Sequence, residues 1–232
     1  MYGYPLTYYN YVFRPVSSVC WTPAIVELNR QLRALWEQHI YWTRLAVNSI
    51  VGDLPDKDAT INRLLRNADD FAAAFQPFYG PTTAARFGEL LKGHLTITAE
   101  LVQALHTAAA ADAQRRWYTN ADDIAVFLGR INPYWSQEEW RQMMHQHLRL
   151  LTAEVAARVA GNYTENVSIN DSVELQALEM VDVMPAELYN SFQIYSWDRS
   201  VSDSDLLVIH MSCYHMTSSV SGEVFMFEKG VI

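Results

Sequence analysis

Cysteine is scarce. The chain of 232 residues has two, Cys20 and Cys213, and two such distant thiols make neither a disulfide framework nor a thiolate metal site. A reducing cytoplasm is the simplest home for such a composition. Basic residues are also short. Seventeen Lys and Arg against 26 Asp and Glu leave a formal charge of −9. An acidic surface repels phosphate backbones and anionic lipid, which argues against nucleic-acid binding and membrane-surface docking. No apolar run approaches the ~20 residues that span a bilayer. The opening "MYGYPLTYYNYVFRPVSS" has no basic stretch followed by an apolar one, so it does not read as a secretory signal. The sequons at Asn162 and Asn166 then read as coincidence. Gly-x-Gly-x-x-Gly, the Walker loop, Gly-x-Ser-x-Gly, Cys-x-x-Cys and His-Glu-x-x-His are all missing. Without a phosphate-cradling loop a nucleotide-using enzyme is not expected, and the reading leans away from catalysis altogether.

What the chain does have is apolar periodicity. Half of its residues are hydrophobic, and from Thr22 to about Phe192 they recur at helical spacing. A first helix opens at "TPAIVE", where Thr22 can cap and Pro23 suits the first helical position, and it ends at Gly52. The second runs from Asp56 or Asp58 to about Tyr79, and "GPTT" breaks the chain. The third spans about 83–109 and the fourth about 112–131. Ser136 and Glu139 form a capping box that opens the fifth. A sixth is expected from about Asn170 to just before Pro185. Residues 1–21 read as an irregular Tyr/Pro-rich arm, 22–192 as the helical domain, and 193–232 as a Ser-rich tail. In that tail "LLVIHM" and "EVFMFEKGVI" suggest a short hairpin or disorder. Short loops place consecutive helices antiparallel. The expected fold is an all-α up-and-down bundle, a four-helix core plus one or two further helices.

A near-repeat runs through the domain. "NADDFA" at 67–72 returns as "NADDIA" at 120–125, and "HLTITAE" at 94–100 returns as "HLRLLTAE" at 147–154. Both pairs are offset by 53 positions, as are Arg63 and Arg116 and Phe87 and Trp140. The pattern reads as a duplicated helical hairpin. His39 extends the histidine series, 55 positions before His94.

His39, His94 and His147 each fall on the apolar stripe of a different helix. His94 and His147 lie 11 residues past their expected helix starts, roughly 17 Å along the axis. Asp70 and Asp123 lie near the middle of the intervening helices, so all five groups could share one level. A buried charge must be paired, hydrogen-bonded or metal-bound, and inward imidazoles and carboxylates are how helical metal sites are built. The five residues are therefore candidate ligands for iron, manganese or zinc. The Glu-x-x-His spacing of di-iron bundles is absent, which leaves a mononuclear site as the metal alternative. The competing reading is a hydrogen-bond network that fixes helix register.

The strings "LWEQHIYWTR", "RLLRNADDFA", "FYG", "WYTNADDIAVFLGRINPYW" and "HLRLLTAE" together resemble a family of uncharacterised helical proteins from spore-forming Gram-positive bacteria. The resemblance covers roughly residues 28–192. Some relatives carry an acetylglutamate kinase label, which implies a nucleotide-binding α/β fold at odds with the motifs absent here. The sequence thus leads to a non-catalytic structural or interaction protein, with protein partners or self-association, in the cytoplasm or associated with the spore or envelope. The rival is a metal-binding, redox-active bundle.

Overall fold

The structure is a computed structural model. It describes residues 23–197 except His106, and the side chains of 26–184. Five helices follow one another: α1 Pro23–Val51, α2 Lys57–Gln103, α3 Ala109–Ile131, α4 Gln137–Val159 and α5 Tyr163–Trp197.

The second element is two helices in one. Gly80 adopts φ 76° and ψ 169°, a conformation essentially restricted to glycine, and Pro81 opens the next turn. Phe75 and Phe87 would stand roughly 18 Å apart along a straight helix, yet their rings stack at 4.4 Å. A Cβ on Gly88 would lie 3.0 Å from that of Ala72. The chain therefore folds back, and the limbs α2a (57–79) and α2b (81–103) form a tight antiparallel pair. This is the break expected at "GPTT".

Six helical limbs result, which matches a core of four with two more. Neighbours in sequence are neighbours in space: α1 packs on α2, α2 on α3, α3 on α4 and α4 on α5. Contact of α1 with α5 closes the ring. The apolar stripes turn inward and bury Leu32, Leu64, Phe71, Phe75, Leu95, Trp117, Trp140 and Leu148. Each such burial stabilises by roughly 1.5–3 kcal/mol. Tyr79 and Trp135 pack rings at 6.1 Å, and Asn132 donates to the Tyr79 hydroxyl at 3.3 Å, so "FYG" and "NPYW" anchor one end of the ring. Ser136 caps α4 as expected, accepting from the Glu139 amide at 3.3 Å.

The last helix departs from expectation at both ends. It starts at Tyr163 instead of Asn170 and runs through Pro185 to Trp197. Its start is set by Gly161, which ends α4 at φ 76°. Asn162 then accepts the Asn166 amide on its backbone oxygen and reaches Glu165 with its side chain. The arm 1–21 and the β-like runs beyond 197 lie outside the described residues.

A threefold imidazole–amide cluster as the candidate functional site

His39, His94 and His147 meet in the middle of the ring. They sit on α1, α2b and α4, each is 3–4% exposed, and all three line a single cavity of about 20 Å³. That volume holds about one water-sized guest.

Each ring is held in the same way. His39 Nδ1 meets Asn67 Oδ1 at 3.2 Å, His94 Nδ1 meets Asn120 Oδ1 at 2.8 Å, and His147 Nδ1 meets Gln176 Oε1 at 2.9 Å. The amide nitrogens are committed elsewhere. Asn67 donates to the Leu35 carbonyl, Asn120 to that of Leu90, and Gln176 to that of Met143. In every case that carbonyl belongs to the residue four before the histidine. A donor committed to a carbonyl turns the amide oxygen to the ring, and an oxygen can only accept. Nδ1 therefore carries the proton in all three imidazoles, and Nε2 is left with its lone pair.

The pairing occurs three times. The hairpins α1–α2a, α2b–α3 and α4–α5 each supply a histidine from the first limb and an amide from the second. The separations are 28, 26 and 29 residues. Cavity walls repeat too: Trp36, Leu91 and Met144 stand three positions before the histidines, and all three line it.

The carboxylates expected beside the histidines are elsewhere. Asp70 pairs with Arg66 at 3.4 Å on the outer face, and Asp123 is exposed. Asp122 turns outward to His145 at 2.7 Å. From each "NADD" stretch the asparagine enters the core, and the aspartates do not. Among the described residues no group of three or more His, Cys, Asp or Glu is placed to hold a metal ion.

Without a counter-charge the rings stay neutral. Burial, helped by His147 and His94, lowers His39 from 6.5 to about 3 against the opposing bond from Asn67. Burial lowers His94 and His147 to about 4. His39 and His147 are 6.0 Å apart between ring centroids, tilted by 44°, and the His94 ring stacks on Trp117 at 5.5 Å.

A second buried polar group lies apart from the cavity. Glu154, 2% exposed, accepts from Arg44 at 2.7 Å. Arg44 also reaches Asn166, whose amide donates to the Glu154 carbonyl. Burial raises the Glu154 carboxyl, and Arg44 opposes the rise. This group ties α1, α4 and α5 together.

Comparison of the chain with protein-family models, with curated proteins and with solved structures finds no match. The functional reading therefore rests on the site. No helix among the described residues is long and apolar enough to cross a membrane.

Proposed function

We propose that this protein is a non-catalytic structural or interaction component whose buried imidazole cluster holds three helical hairpins in register. One observation carries the reading. The Nδ1 edge of every core histidine is used to join the two limbs of its own hairpin, through an amide and a backbone carbonyl, in three equivalent places. A hydrogen-bonded group at a set depth penalises sliding of one limb along the other, because a slipped register strands a donor in the core. The exposed Tyr41, Tyr134 and Tyr163 supply the aromatic side chains that partner surfaces favour. The Tyr/Pro-rich first 21 residues and the resemblance to proteins of spore formers support a place at the spore or envelope. Light scattering on the purified chain, with cross-linking in cells of a spore former, tests this. A strict monomer that cross-links to nothing removes the interaction role.

Metal binding is the second reading, and the three Nε2 lone pairs favour it. Manganese and iron of the carboxylate-bridged kind fit poorly, since such ions select carboxylate oxygen and neither Asp70 nor Asp123 reaches the cavity. Elemental analysis of untagged protein before and after loading with iron, manganese or zinc tests that part. A stoichiometry near zero in every case ends it.

A further inference from the structure

The register reading uses one edge of each imidazole. The same three residues line a cavity the size of one small guest, and the wall decides which guest. We infer that this cavity binds one soft monovalent metal ion, Cu(I), through the Nε2 atoms of His39 and His147, with a third ligand from the thioether of Met144 or Met184.

Four observations converge. The first is tautomer. The amides fix Nδ1–H on all three rings, so the lone pairs are presented before any ion arrives. A ligating histidine whose other nitrogen is held by an acceptor is the usual arrangement in metal sites.

The second is spacing. An ion about 2.0 Å from each Nε2 stands roughly 3.2 Å from each ring centroid. Two rings that both aim Nε2 at the ion are then roughly 5.2 Å apart at a tetrahedral angle, roughly 5.5 Å at a trigonal one and roughly 6.4 Å when collinear. The observed 6.0 Å between His39 and His147 falls between trigonal and collinear, whereas a tetrahedral zinc site would need closer rings. The absence of a group of three His, Cys, Asp or Glu placed for an ion is consistent with two imidazoles and a thioether.

The third is charge. No carboxylate lines the cavity. Desolvation grows with the square of the charge, so a divalent ion is opposed about four times as strongly as a monovalent one. The fourth is softness. Met144 and Met184 line the same cavity, and thioether with imidazole is a ligand set that selects Cu(I).

The test uses the full, untagged chain under anaerobic conditions. Cu(I), supplied as its acetonitrile complex, is titrated against a chromophoric Cu(I) chelator. One equivalent is expected to stay with the protein and to raise Tm, and zinc at the same concentration is expected to leave Tm unchanged. Copper-edge X-ray absorption should show two imidazole nitrogens. His39→Gln and His147→Gln should each weaken retention by about tenfold or more. The idea is overturned if the chelator removes all the copper, if the bound copper shows no imidazole, or if zinc stabilises equally. Should the variants fail to fold, the absorption spectrum of the unaltered chain decides alone. Failure here leaves the register role intact, because that role is tested on metal-free protein.

Discussion

Asn67 bridges two limbs with both ends of its amide, and it is completely buried. Replacing it with leucine keeps the volume but strands the His39 Nδ1–H. Asn67→Leu is therefore expected to lower stability by about 2–3 kcal/mol, read from urea denaturation of metal-free protein. Removing both partners should hurt less than the sum of the single changes, with a coupling of about 1–3 kcal/mol in the cycle with His39→Leu. Strict additivity would mean that the bond contributes nothing. Asp70→Ala, three residues away, should stay within about 0.5 kcal/mol, because it removes only an exposed pair with Arg66. The choice between these neighbours was legible in the sequence. Asn67 lies three after Leu64 and four before Phe71, on the apolar stripe, while Asp70 lies off it. Asn120 has the same frame between Trp117 and Ile124, and Gln176 between Val173 and Met180. The adjoining charges obscure the frame. A carboxylate looked like the natural partner for a buried histidine, but it would have brought a full charge into a cavity that an amide satisfies at lower cost. The third repeat was hidden further because Gln176 replaces asparagine and "NADD" is not kept around it.

At the scale of the element, the hairpin in α2 depends on one residue. Gly80 holds φ 76° and ψ 169° with nothing near the position of a missing Cβ, so backbone strain is the issue and not space. Gly80→Ala should destabilise by about 1–3 kcal/mol and lower the urea midpoint without altering helix content. An unchanged midpoint would show that the reversal does not need glycine. Periodicity and the "GPTT" break located this turn because glycine and proline act locally. The last helix was harder for the opposite reason. "GNYTENVSIND" has the composition of a loop, yet Asn166 is held in the core by Arg44 and by the Glu154 carbonyl. Those partners come from 12 and 122 residues away, and no local pattern reports them. Spacing from Asn162 to Glu165 was the available cue, an asparagine with an acidic residue three on.

At the scale of the molecule, the three imidazoles set the response to acid. Folded values of about 3, 4 and 4 lie below the ordinary 6.5, so between these limits the unfolded chain binds protons that the fold refuses. Stability is then at its full value above about pH 6.5, falls as pH drops below that, and stops falling from this cause once the folded values are passed. Three protons give a limiting slope of about 4 kcal/mol per pH unit. Glu154 works in the other direction, since its raised carboxyl favours the fold slightly as pH falls, but one group with a charged partner cannot offset three. By pH 5 the three groups together remove about 6 kcal/mol, so a domain at the lower end of ordinary stability, about 5 kcal/mol, should unfold near pH 5. Circular dichroism against pH on metal-free protein measures it, with urea midpoints at pH 8, 7, 6 and 5.5. The midpoint should hold from 8 to 7 and drop steeply between 6 and 5.5. Leucine at all three histidines, in a background where the partnering amides are also leucine, should flatten that drop. A bundle that keeps its midpoint down to pH 4 would mean that the imidazoles accept protons without opening the ring, and the acid sensitivity assigned to them would fall.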